Sequence, residues 1–322
     1  MPEVPASAHS PGAFVAFIVL ILALLALDLG LMRTGNRQQS LKGSLIWSAF
    51  WIGLAAAFNV FVWWEFGKDA ALQFSAGYLL EEALSVDNVF VFSVIFTFFA
   101  VPAAWQQRVL FWGILGALVL RGVFIGLGSA LIHRFEWVLY IFGVVLIATG
   151  LKLLRTGDDD DFDPSRNLLV RLSRRFVRVT DTYVGDRFLA RDALGWAVTP
   201  LFLVLLTIET SDVLFALDSV PAVFSVTNDP FIIYSSNIFA ILGLRSLYFL
   251  VQGAVDRFHY LKPGLAFILI FIGGKMLVDH WIKTPIYVSL GVIISLLFVS
   301  IGASWWRPLP VRDPTPPPPV LE

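Results

Sequence analysis

Nine apolar runs close to twenty residues long recur along this 322-residue chain, and they leave it little choice of fold. About twenty apolar residues in a helix cross roughly 30 Å of hydrocarbon, and a backbone inside lipid satisfies its own hydrogen bonds by staying helical. The runs lie near 14–32, 45–64, 72–99, 109–132, 136–154, 196–224, 231–252, 262–279 and 285–303. With 57% hydrophobic and 15% charged residues, the composition is that of a membrane protein. The expected fold is an all-α polytopic membrane protein of nine transmembrane helices. A net charge of −1 offers nothing to a nucleic-acid backbone, and the absence of cysteine excludes disulfides, thiolate metal sites and cysteine nucleophiles. Residues 1–12 contain no Lys or Arg, so the first run lacks the charged leader of a secretory signal and reads as a true span.

Lys and Arg in the connections orient the chain, because short cytoplasmic loops collect them. With the N-terminus outside, the inside segments hold sixteen: Arg33, Arg37, Lys42, Arg108, the eight arginines from Arg155 to Arg191, Arg257, Lys262, Arg307 and Arg312. The outside segments hold Lys68, Arg134 and Lys283. The reading is a multi-pass protein of the cell (inner) membrane, N-terminus out and C-terminus cytoplasmic. Residues 1–13 form an outer tail, 14–303 the membrane domain with a cytoplasmic loop at 155–195, and 304–322 a proline-rich tail that cannot pack a core. The loop carries five aspartates within 158–163 followed by "RLSRRFVRV", which reads as a solvated acidic turn beside a basic amphipathic helix at the lipid surface.

Spans three to five and six to eight overlay. "LRGVF" at 120–124 matches "LRSLY" at 244–248, an offset of 124 that also sets Gly150 on Gly274, while Asp87 meets Asp212 at 125. Each copy, about 72–154 and 196–279, holds an acidic helix, a helix with a buried arginine, and a helix with Gly and Lys near its end (Gly150 and Lys152, Gly274 and Lys275). Three spans per copy reverse the second copy across the membrane, the parity of inverted-repeat transporters whose sites lie near the midplane.

A carboxylate at mid-span costs about 2.5–3.5 kcal/mol on insertion scales, so it persists only with a partner or a task. This chain places Asp28, Glu81, Glu82, Asp87, Glu209, Asp212 and Asp218 within its spans, against Arg121 and Arg245. The surplus negative charge calls for cations unless some acids stay protonated. Glu209 and Asp212 share a helix face, as do Glu82 and Ser85, whereas Glu82 and Asp87 lie about 140° apart on an ideal helix. Either those acids serve different neighbours or the helix is interrupted. Pro221, in "DSVPA", removes its bond to the carbonyl of Leu217, so kinked or broken helices around a cavity are expected, with Asp218 and Ser219 beside the freed carbonyls. Arg121 and Arg245 read first as partners of carboxylates, and Asn88 and Asn237 as interhelical hydrogen-bonding groups. His9, His133, His259 and His280 lie at span ends or in the tail and make poor ligands. Carboxylates, hydroxyls and amides without thiolate or clustered imidazole form a hard site suited to Mn²⁺, Ca²⁺ or Mg²⁺.

"EEALSVDNVFVFSVIF", "VLFWGILGALVLRGVFI", "TIETSDVLFALDSVPAVFSVT" and "LALDLG" resemble the TerC/Alx family of integral membrane proteins over nearly the whole chain, from Phe14 to about Gly302. The resemblance implies manganese homeostasis, chiefly Mn²⁺ export, with links to tellurium resistance and to the LysE-type exporters. It implies as metal-handling carboxylates Glu82, Asp87, Glu209, Asp212 and Asp218. Asp28, Glu81, Ser85, Asn88, Arg121, Ser211, Ser219 and Arg245 stand around them. The expected function is secondary export of a divalent cation, most simply by proton antiport, with the metal as cargo and no covalent cofactor. Two other readings stand beside it: a scaffold or tellurite-stress protein whose charges only bind helices together, and an exporter of an organic cation such as an amino acid. An intramembrane aspartyl protease lacks its G-x-G-D element here, so no enzymatic activity is expected.

Overall fold

The computed structural model describes residues 11–33, 41–155, 177–192, 195–251, 260–279 and 281–306. Nine helices run through them: α1 (Pro11–Arg33), α2 (Leu41–Phe66), α3 (Lys68–Phe98), α4 (Ala103–Arg134) and α5 (Val138–Arg155), then α6 (Pro200–Phe224), α7 (Pro230–Val251), α8 (Leu261–Val278) and α9 (Ile286–Trp306). They answer one for one to the nine apolar runs. Seven are long and apolar enough to cross a membrane. α3 is longer than most but carries Lys68, Asp69, Glu81, Glu82 and Asp87, and the apolar stretch of α1 is Phe14–Ala26. Exposed tryptophans mark the helix ends, with Trp63, Trp64, Trp137 and Trp281 on one side and Trp305 and Trp306 on the other. Amphipathic rings favour that depth, between headgroups and acyl chains.

α7 is the hub. Of its apolar stretch 89% is buried, against 22% for α2 and 17% for α9, which face outward. It packs on α2, α3 and α4, and α3 and α4 in turn pack on α6. The triplet α3–α5 and the triplet α6–α8 therefore interleave instead of forming two side-by-side bundles. An aromatic cluster fills the junction of α1, α2, α3 and α7, where Phe58 lies 4.7 Å from Phe239 and Phe17 meets Phe58, Phe231 and Tyr234.

α5 and α8, 18 residues each, form the most extensive helix pair among the described residues. Gly143 lies on Gly273 and Gly150 on Ala266, one number rising as the other falls, so the two run antiparallel. Contact is backbone to backbone: a Cβ on Gly273 would come 2.5 Å from the carbonyl oxygen of Gly143. Small residues permit this approach, the usual basis of helix association in lipid. The glycine that packs is Gly273, whereas Gly274, which the offset of 124 aligned with Gly150, faces open space.

Two expectations need correction. α3 and α6 are each continuous, not broken. Pro221 sits in the last turn of α6, where only one helical bond is lost and its own carbonyl accepts the Ser225 N–H. The end of the long loop is folded, and it takes the residues with which the sixth span was expected to begin: β1 (Leu189–Asp192) pairs antiparallel with β2 (Gly195–Val198), Leu189 opposite Val198. Gly195 adopts φ +114°, which favours glycine. The segment that leads into this hairpin is pinned to the α3–α4 turn and the start of α4. The Tyr183 hydroxyl donates to the Phe99 carbonyl at 2.6 Å, Arg108 pairs with Asp186, and its guanidinium lies 5.5 Å from the Phe188 ring centre. The aspartates of 158–163, the basic stretch around 171–176 and both chain tails lie outside the described residues.

Candidate functional site

The sequence places one arginine in α4 at mid-helix, and the fold wraps three helices around it. Arg121 is 1% exposed and Glu81 fully buried. The Arg121 Nη1 donates to Glu81, to Ser219 Oγ at 3.2 Å and to Asn237 Oδ1 at 3.1 Å. Its Nη2 and Nε reach the two carboxylate oxygens of Asp212 at 3.1 and 3.4 Å. Asn237 Nδ2 closes the ring by donating to Glu81 Oε2 at 2.9 Å. One guanidinium thus ties α3, α6 and α7 to α4. With two carboxylates against one cation the knot stays formally negative, and a planar fork of donors suits such multidentate pairing better than an ammonium.

Against this knot lies a cavity of about 50 Å³, enough for a few waters or a partly hydrated ion. Its polar lining comes from Glu81, Asp87 and Asn88 of α3, Arg121 of α4, Thr149 of α5, and Asp218 and Ser219 of α6. Thr149 Oγ1 donates to Asp218 at 2.9 Å. Asp87 is close enough to Asp218 and Lys262 to feel both charges. Asn88 is 1% exposed, yet its Oδ1 accepts no hydrogen bond among the described residues. A buried carbonyl oxygen left so costs about 1–3 kcal/mol, and one that faces a polar cavity is set to receive a donor or a cation.

The five carboxylates implied as one metal set do not form one shell. Asp87 and Asp218 line the cavity, and Asp212 is held by Arg121 at its edge. Glu82 points elsewhere: it accepts the Tyr78 hydroxyl at 2.7 Å and lies by Gly243 and Trp51, on the side of α3 toward α2 and α7. Glu209 lies over Gly116 of α4, where a Cβ would come 2.0 Å from its Oε1. Among the described residues no three His, Asp or Glu side chains converge as a metal ligand set. The cause is the continuity of α3, which sends neighbouring residues 100° apart. Glu81, expected only in support, lines the cavity in place of Glu82.

Of the remaining expected residues, Ser219 and Arg121 belong to the cavity wall. Ser211 donates to the Thr207 carbonyl, and Ser85 is buried on α3 away from the lining. Arg245 is buried in α7. The Asp28 side chain lies outside the described residues. The sequence did not single out Thr149; its one signal is its place a residue before Gly150, on the face that meets α6 and α8.

The profile of the integral membrane protein TerC family matches residues 66–309. The chain is similar to an "Uncharacterized membrane protein STKORF319" of Myxococcus xanthus, 49% identical over 298 residues that cover 92% of this chain and 93% of that one. It is also similar to the "Putative membrane-bound redox modulator Alx" of Escherichia coli (strain K12), 45% identical over 306 residues that cover 92% and 95% of the two chains. No solved structure matches. Profile and relatives alike span the helices that build the cavity, and the chain belongs to the TerC family of integral membrane proteins.

Proposed function

We propose that the protein is a secondary transporter that exports a hard divalent cation, with Mn²⁺ the first candidate, through the cavity between α3, α5 and α6. One observation carries this reading: the cavity lined by Glu81, Asp87 and Asp218 together with Asn88, whose buried Oδ1 accepts no hydrogen bond among the described residues. Oxygen donors alone favour Mn²⁺, Mg²⁺ or Ca²⁺ over Cu or Zn. The donors surround a space without yet converging, as in a carrier that closes on its ion and opens to release it. The interleaved packing of α3–α5 with α6–α8 supports two inverted repeats whose relative rocking would do this. The basic loops support an inner-membrane placement with the C-terminus cytoplasmic.

A purely structural role for the charges fits Arg121, Glu81 and Asp212, which satisfy one another, but not Asp87 and Asp218, which line the same cavity without an ion pair to Arg121. The relatives' name as a redox modulator suggests a second reading. The absence of cysteine excludes thiol exchange by this chain, so a redox effect would follow from the metal it moves. The test is Mn²⁺ flux in proteoliposomes with an imposed pH gradient. Asp87→Asn and Asp218→Asn should each lower flux at least about tenfold; wild-type flux in both, or none from the wild type, would overturn the reading, and a flux indifferent to the gradient would remove proton antiport.

A further inference from the structure

The cavity has a lysine within one helical turn of its lining on each of two walls. Thr149 and Leu153 line it from α5, and Lys152 follows Thr149 by three residues, on the same helix face. Leu265 and Leu269 line it from α8, and Lys262 precedes Leu265 by three residues, again on that face. Because Gly150 lies on Ala266 and the helices run antiparallel, Lys152 and Lys262 stand together at one end of the pair, the end from which the arginine-rich segment departs. Each addresses a different acid: the charge of Lys152 reaches Asp218, and that of Lys262 reaches Asp87. Among the described residues neither forms a close ion pair, so neither ammonium group is locked to the carboxylates of the cavity.

Resting on the transport reading, we propose that Lys152 and Lys262 are a tethered stand-in for the cargo, swinging toward Asp218 and Asp87 when the cavity is empty and yielding when a divalent cation arrives. Two ammonium groups carry the same charge as the ion they replace. The cavity therefore holds the same balance loaded and unloaded, and the empty carrier can reset without exposing bare carboxylates to low dielectric. The lysines are positioning residues, acting on the cation through the acids. They set both how tightly it is held and how readily it leaves, since their return competes with it for the same oxygens.

The test is Mn²⁺ binding by calorimetry on the full chain in lipid nanodiscs, paired with Mn²⁺ efflux from proteoliposomes. Lys152→Gln/Lys262→Gln should bind Mn²⁺ at least about tenfold tighter, the field of two charges at this range having been removed, and efflux should slow because release loses its competitor. Lys152→Arg/Lys262→Arg keeps the charge and should stay within about threefold of wild type in both readouts. Glutamine variants with wild-type affinity, or with faster efflux, would overturn the proposal while wild-type binding abolished by Asp87→Asn keeps the cation site. A wild type that binds no Mn²⁺ would overturn both.

Discussion

Arg121 is the side chain on which the buried charge depends. Arg121→Met would leave Glu81 and Asp212 buried without their cation, and losing one partner of a buried pair costs about 3–5 kcal/mol; thermal unfolding in detergent should show the loss. Asn237→Ala removes a donor to Glu81 and an acceptor from Arg121, and should cost less, about 1–3 kcal/mol. The acids divide by neighbour. Asp87→Asn and Asp218→Asn should abolish Mn²⁺ binding, whereas Glu82→Gln, whose carboxylate faces Tyr78 and not the cavity, should leave the affinity within about twofold. Equal loss in all three would return Glu82 to the site. That acids and an arginine would be buried together was legible in the sequence, because a lone charge in a span has few alternatives. Which of Glu81 and Glu82 faces Arg121 was not: adjacent residues on a helix differ by 100°, and only the positions of α4 and α7 choose between them.

At the scale of elements, the sequence carried the nine helices, seven of them long and apolar enough to cross a membrane, to within about six residues at each end, since lipid thickness sets helix length whatever the tertiary contacts. The repeat register was less legible. An offset of 124 set Gly150 on Gly274, but the α5–α8 contact uses Gly273, and similar apolar helices slide past one another without a polar anchor to fix them. The contact makes a paired prediction. Gly273→Ala forces its Cβ onto the Gly143 carbonyl and should destabilise the fold by about 1–3 kcal/mol, while Gly274→Ala, which meets nothing within 4 Å, should be neutral or slightly stabilising. Unfolding midpoints of the two variants check it. The β1–β2 hairpin escaped sequence reading because each strand is four residues long, too short for its alternation to show within a charged loop.

For the whole molecule, the described residues between 177 and 199 couple the central loop to the α3–α4 turn through an exposed ion pair and one half-buried hydroxyl. Asp186→Ala alone should change stability by less than about 1 kcal/mol, because Arg108 and Asp186 are 42% and 52% exposed. Combined with Tyr183→Phe it should free the segment, read as faster tryptic cleavage there with the helices still protected. Burial raises the Tyr183 phenol above its ordinary 10.0. Docking is therefore complete below about pH 10 and is lost as pH climbs through the higher folded value, which the same cleavage assay can follow. The enclosure of α7 also bears on how the protein is made. It carries Asn237 and Arg245 and has the lowest hydropathy of the seven long spans, yet its neighbours α2, α3 and α4 are all translated before it. Until α7 arrives, those earlier helices lack their shared partner, and Arg121 and Glu81 lack Asn237. Arrival of α7 completes that packing, so a nascent chain cut short before it should be recognised and degraded as an unfinished product.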